Sequence, residues 1–267
     1  MTATLRAFAD GAVVAKRNLI KIKRVPDLLV WTLMSPIMFV LLFAYVFGGS
    51  IDVPGLNYRE FLIAGIFAQT VIFGATFTGA GLAEDMQKGV IDRFRSLPMS
   101  RSAVLVGRTA SDIFTNVLSI TVMALTGLAV GWRIHTSLLE AAGGFLLLLA
   151  FAYAFSWMMA YVGLLVGSPE VVNNASFMVI FPFTFISNAF VPSENLPGVL
   201  RTIAHWNPVS SVVQAVRELF GNVDPRALPP KEWSLQNPVL YSLLWLAIIL
   251  AIFVPLSVHQ YKRAASR

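Results

Sequence analysis

The sequence predicts an all-α membrane protein of six transmembrane helices, and three observations predict it. Of its 267 residues 57% are hydrophobic and only 13% charged, about half the charge with which a soluble domain of this size covers its surface. Six stretches of roughly the length that crosses a hydrocarbon core as helix carry few or no charges. The chain has no cysteine and three histidines. That composition excludes a disulfide framework and a cysteine nucleophile, and scattered histidines argue against a metal centre. The net charge of +6 fits basic loops beside a membrane better than a nucleic-acid surface.

The elements follow in order. Over residues 1–25, Leu5, Phe8, Ala12, Ala15, Leu19 and Ile22 recur at steps of three and four, while Arg6, Asp10, Arg17, Lys21 and Arg24 mark another face. This is an amphipathic helix. Its basic face and its place just before Pro26 suit an interfacial helix in the cytoplasmic headgroup layer, and packing on a partner protein is the other reading of the same pattern. The spans are predicted over 28–47, 61–83, 113–130, 141–166, 171–191 and 239–258. The third extends back toward Ser102, which puts Arg108 and Asp112 four apart in its first turns, where they can pair near the inner headgroups. Pro36 and Pro182 should kink the first and fifth spans. Gly74, Ala75, Thr78 and Gly79 permit close helix contact, either within the chain or with a second copy.

Orientation follows from the basic residues. Arg6, Lys16, Arg17, Lys21, Lys23 and Arg24 precede the first span; Lys88, Arg93, Arg95 and Arg101 lie between the second and third; Lys262, Arg263 and Arg267 follow the last. Both termini are therefore expected in the cytoplasm of a multi-pass cell-membrane protein. The first apolar stretch is too long and too far from the start for a cleaved signal, and is read as a retained span.

Two segments between spans carry more than connection. In 84–101, Val90, Ile91, Phe94 and Leu97 recur at helical spacing among Asp92, Arg93 and Arg95, and Pro98 stops the turn. A short cytoplasmic helix with one apolar edge results. In 192–236 there are two short helix signals, one from Pro197 toward Trp206 and one with Asn207 as N-cap, Pro208 at the first position and Gly221 past the end. Neither is long enough to cross the core, and Arg201, His205, Arg217 and Glu218 prevent their fusion into one span. An outer re-entrant hairpin before the last span satisfies both constraints, provided protein shelters its turn.

Phosphate-cradling GxxxxGK[ST], GxSxG and HExxH are absent from the sequence, so nucleotide and hydrolytic chemistry have no visible seat. Aromatic stripes run along single faces: Phe73 and Phe77 in the second span, and Phe177, Phe181 and Phe185 in the fifth, with Asn188 close by. They either face lipid and neighbouring helices or line a route for an apolar substrate.

The run Gln87-Lys88-Gly89-Val90-Ile91-Asp92-Arg93-Phe94-Arg95-Ser96-Leu97-Pro98-Met99-Ser100-Arg101, followed by Gly107-Arg108, resembles the cytoplasmic loop of type-2 ABC exporter permeases, the daunorubicin-resistance-like family. Asn188-Ala189-Phe190-Val191-Pro192 with Leu196-Pro197, then Asn207-Pro208 and Arg217, is similar to that family's outer segment. Asp92 and Phe94-Arg95 depart from the usual Glu and apolar pair. Together, in order, the two motifs cover a single transmembrane domain over 1–267. The resemblance implies a permease that exports an amphipathic, lipid-like or drug-like molecule, a glycolipid or a polysaccharide, with no catalytic residue, cofactor or metal of its own. It implies that Val90, Ile91, Arg93, Phe94, Arg95, Leu97 and Pro98 form a coupling helix on a separate ATPase subunit, present in two copies, which holds the ATP and magnesium. It also implies a second permease chain, expected as a homodimer, and an outer gate near Pro197, Asn207, Pro208 and Arg217. Phe73, Phe77, Phe177, Phe181, Phe185 and Asn188 are candidates for the pathway. A secondary carrier or channel is the alternative, weakened by the lack of intramembrane charged couplers and of an internal repeat.

Overall fold

Helix boundaries in this chain are set by side-chain caps and by glycines that turn the backbone left-handed. In the computed structural model, which describes residues 20, 26–47, 55–90, 103–224, 226 and 230–264, every regular element is helical. The amphipathic segment predicted over 1–25, Ile20 apart, lies outside the described residues. Helix α1 (Pro26–Leu42) runs through Pro36 and ends in a π-helical turn, Phe43–Phe47. Helix α2 (Tyr58–Gln87) starts at Asn57, whose side chain accepts from the Arg59 amide at 3.0 Å, and stops before Gly89 at φ 62°. Helix α3 is Ala103–Ala129. In α4 (Leu138–Val166), Ser137 and Glu140 form a reciprocal capping box, and Gly167 at φ 69° ends the helix.

Helix α5 (Pro169–Phe185) begins at an Ser168 cap and ends within one turn of Pro182. The span predicted over 171–191 is thus not one helix: six residues short of that end, the chain bends through Ile186 to Pro192. Three short elements follow: a 3₁₀ turn (Ser193–Asn195), α6 (Gly198–Trp206) and α7 (Pro208–Phe220). The two hairpin helices have the predicted ends. Asn207 accepts from the Val209 amide at 2.9 Å, and Gly221 closes α7 at φ 72°. A single-turn α8 (Trp233–Gln236), which the sequence reading missed, leads into α9 (Pro238–Ala264).

Among the described residues four helices, α2, α3, α4 and α9, are long and apolar enough to cross a membrane. Helices α1 and α5, at 17 residues each, reach about 25 Å, slightly less than a hydrocarbon core. Helix α2 is the axis of the fold, packed against α3, α4, α5 and α7. Where α2 crosses α4 the backbones touch. A Cβ on Gly163 would lie 2.2 Å from the Gly79 carbonyl oxygen, and one on Gly79 would lie 2.5 Å from that of Met159. The small residues of α2 therefore serve a contact inside the chain, the kind of approach that helices in lipid need because water does not drive them together. Near the hairpin, Phe67, Trp132, Phe145 and Phe220 pack ring on ring at 4.9 to 6.1 Å. Trp132 Nε1 donates to Asn222 Oδ1 at 2.7 Å, and Asn222 Nδ2 donates to the Arg133 carbonyl at 2.8 Å. The α3–α4 connection is thereby sewn to the end of α7.

Candidate functional site

A polar stripe inside an apolar helix has to meet something polar. On α3, Arg108, Asp112, Asn116 and Ser119 follow one another at steps of four and three, so they share one face. That face lines a cavity of about 690 Å³ together with Ser35, Pro36 and Phe39 of α1, a long stretch of α2 that includes Gln69, Phe73, Phe77 and Glu84, and Asn173, Phe177 and Phe181 of α5. Asp112 is anchored from α2: its Oδ2 accepts from Thr78 Oγ1 at 2.6 Å. Arg108 Nε faces Asp112 Oδ1 at 3.6 Å, and the two side chains are only 16% and 17% exposed. The guanidinium also donates through Nη2 to the Phe77 carbonyl at 2.8 Å. It lies over Gly81, where any Cβ would stand 2.3 Å from Nη2. Asn116 Nδ2 donates to the Asp112 carbonyl at 2.9 Å.

The sequence reading put the Arg108 and Asp112 pair among the inner headgroups. The i, i+4 pair is present in the structure, and both side chains lie on the cavity wall, with Asp112 the tenth residue of α3, about 14 Å from its start. The four-residue polar periodicity was the signal that could have shown this.

Aromatic rings continue from the cavity along α5. Phe73 meets Phe177 at 5.9 Å, Phe177 stacks on Phe181 at 5.1 Å, Phe181 on Phe185 at 4.2 Å, and Phe185 on Phe190 at 4.8 Å. Phe190 then stacks on Phe43 at 4.9 Å, and Phe43 on Phe39 at 5.9 Å. Of the six residues named for a pathway, Phe73, Phe77, Phe177 and Phe181 line the cavity. Phe185 stands further along the ladder, and Asn188 sits away from the cavity in the bend after α5.

That bend is where the hairpin grips the rest of the molecule. A helix that stops at Phe185 leaves carbonyls without partners, and Asn207, between α6 and α7, and Arg217 of α7 supply donors to that end and to the bend after it. Asn207 Nδ2 donates to Phe183 and Ile186 carbonyls at 2.8 and 2.7 Å. Arg217, 2% exposed, donates through Nη2 to the Asn188 and Ala189 carbonyls at 2.8 and 3.2 Å and through Nε to the Phe61 carbonyl at 2.9 Å. Its Cζ also stands 3.5 Å from the Phe61 ring centre, a cation–π contact. Ser210 Oγ accepts from the Asn188 amide at 3.1 Å, and Tyr58 donates to the Phe190 carbonyl at 3.2 Å. Gly65 lets α2 approach: a Cβ there would lie 2.0 Å from the Ala189 oxygen. Asn207, Pro208 and Arg217 thus meet in one buried clamp, while Pro197 caps α6 at the exposed surface.

Of the residues named for coupling, Val90 is half-buried beyond the end of α2. Ile91, Arg93, Phe94, Arg95, Leu97 and Pro98 lie outside the described residues. Among the described residues no cluster of His, Asp and Glu could hold a metal ion.

Residues 11–220 match the family model described as ABC-2 type transporter. The chain is 32% identical over 259 residues, 96% of its length and 88% of the relative's, to a daunorubicin resistance ABC transporter permease protein of Streptomyces coeruleorubidus. It is 24% identical to a probable doxorubicin resistance ABC transporter permease protein of Mycobacterium tuberculosis, over 88% of this chain and 81% of that one. A putative transport permease of Cyanophora paradoxa is 26% identical, over 79% and 73%. With a cavity between apolar helices, a hairpin clamped over the broken end of α5, and a family match across most of its length, this chain belongs to the ABC-2 type transporters as a multi-pass membrane permease, a transport component.

Proposed function

We propose that this chain is one half of an ATP-driven exporter for an amphipathic, drug-like or lipid-like molecule. The observation that carries the reading is the cavity between α1, α2, α3 and α5, polar along α3 and aromatic along α2 and α5, with a ladder of rings leading from it to the clamp at the bend. A route for an amphipath needs both kinds of wall. The drugs whose resistance gives the relatives their names, daunorubicin and doxorubicin, support a drug-like cargo.

In this reading the chain crosses the membrane six times with α1 and α5 as the two shorter crossings, and both termini are cytoplasmic. The segment 84–101 docks on a separate ATPase subunit through Val90, Phe94 and Leu97. Two permeases, expected as identical copies, and two ATPases make the transporter, and ATP and magnesium are bound by the ATPases. Closure of the ATPases moves the coupling segments; because α3 follows directly, that movement reaches Arg108 and the cavity. The hairpin of α6 and α7, with Pro197, Asn207, Pro208 and Arg217, forms the outer gate.

Phe94→Asp tests the reading. A charge in place of the apolar docking ring should leave membrane insertion and ATP hydrolysis intact and abolish drug efflux from cells. Undiminished efflux with the ATPase still bound would overturn the coupling assignment.

A further inference from the structure

Two carboxylates line the cavity, and they are held differently. Glu84 pairs with Lys88 four residues on, at the end of α2. Asp112 lies deeper, fixed by one short hydrogen bond from Thr78. A carboxylate offers about four acceptor positions, and Thr78 takes one. Arg108 stands at 3.6 Å from the other oxygen, which is longer than a hydrogen bond, and its Nη2 is directed at the Phe77 carbonyl. Asn116 is directed at the Asp112 backbone and not at its carboxylate. Acceptor capacity therefore remains on a fixed anion at a cavity wall, while the neighbouring cation is turned toward α2.

The apolar wall has the matching character. The rings of Phe73, Phe177 and Phe181 pack on one another and line the cavity, giving an apolar body a surface to lie against. An anion of the same shape would meet the Asp112 charge at this wall while the Arg108 guanidinium is directed at the Phe77 carbonyl.

We propose that Asp112, oriented by Thr78, is the specificity-determining acceptor for the cationic head of an amphipath whose apolar body lies against Phe73, Phe177 and Phe181. The inference rests on the permease reading and narrows its cargo to cationic amphipaths.

The test uses the full chain purified in detergent micelles and two probes of the same shape and opposite charge, tetraphenylphosphonium and tetraphenylborate, with binding followed by calorimetry. Partition into micelles is common to all variants, so affinities are read as ratios between proteins. Asp112→Asn keeps the shape and an acceptor for Thr78 but removes the charge. It should weaken tetraphenylphosphonium at least about tenfold, the difference between a charge-assisted and a neutral contact, and leave tetraphenylborate unchanged or tighter. Phe177→Leu should weaken the cation as well, while its melting profile stays that of the parent chain. Equal tetraphenylphosphonium affinity in the parent and Asp112→Asn proteins, or a loss for both probes alike, would overturn the proposal. Because binding is read on this chain alone, charge discrimination that persists where Phe94→Asp leaves efflux untouched would sink the coupling scheme and keep the subsite.

Discussion

Arg108 and Arg217 are both cations lodged among apolar helices, and the fold treats them in opposite ways. Arg217 is enclosed: three backbone carbonyls accept from it and the Phe61 ring covers it. Arg108 is half engaged, with one carbonyl on α2, a carboxylate just beyond hydrogen-bond reach and a cavity beside both. Arg217 ties together segments far apart in sequence, the start of α2, the bend after α5 and α7. The comparison separates two uses of buried charge. Saturated with fixed acceptors, a charge is structural, because any movement would strand those acceptors. Left half engaged at a cavity beside a carboxylate, it sets the field that a ligand of that carboxylate meets.

The largest effect that would break this comparison is expected at the saturated end. Arg217→Leu strands the Phe61, Asn188 and Ala189 carbonyls in a region that water does not reach. A buried acceptor left without its donor costs about 1–3 kcal/mol, so the three together cost about 3 kcal/mol or more, which for a chain of this size lowers the melting temperature by roughly 6 °C or more. Drug efflux falls in step with the amount of folded protein. A variant that melts within a degree or two of the parent would show that the clamp is dispensable.

How much of this contrast was legible in the sequence depends on which physical signal carried it. The hairpin ends were legible because Asn207, Pro208 and Gly221 act locally: a cap, a fixed φ and a left-handed turn need no tertiary information. The crossing helices α2, α4 and α9 were legible from the length of their apolar runs. The end of α5 was not, since the apolar pattern continues through Phe190 and Val191 while the backbone leaves the helix. Donation by Asn207 and Arg217, far along the chain, to the carbonyls left open there makes that exit tolerable. Arg217 was named for its place in a motif, yet its role as a clamp comes from partners 28 to 156 residues away. That Asp112 faces a cavity was not legible for a related reason. An i, i+4 ion pair can form on a solvated or an enclosed helix face, and Thr78, on another helix, is what encloses this one.

A second prediction sharpens the comparison by testing whether the cavity is open because its walls are loose. Helix α2 forms one wall, and it is fixed to α4 at the Gly79 and Gly163 crossing. Gly163→Ala drives a methyl group into the Gly79 backbone, which no rotamer change can relieve. About 1–3 kcal/mol of destabilisation follows from such overpacking. The shift of α2 should also move Thr78 away from Asp112 and weaken tetraphenylphosphonium binding. Loss of stability with probe affinity unchanged would mean that the cavity does not depend on where α2 rests.

At the unsaturated end the sign of a second readout matters more than the size of the stability effect. Arg108→Gln removes the charged donor to the Phe77 carbonyl and the ion-pair partner of Asp112, with about 1.5–3 kcal/mol for a hydrogen bond of a charged group, and leaves Asp112 its bond from Thr78. The melting temperature should fall by less than in Arg217→Leu. Meanwhile the positive charge 3.6 Å from the carboxylate is gone, and a cation entering the cavity no longer meets a like charge across a poorly screening medium. Tetraphenylphosphonium should bind more tightly to Arg108→Gln than to the parent chain, the reverse of its response to Asp112→Asn. If both changes weaken the cation, Arg108 and Asp112 act as one structural pair, and the distinction between the two arginines fails.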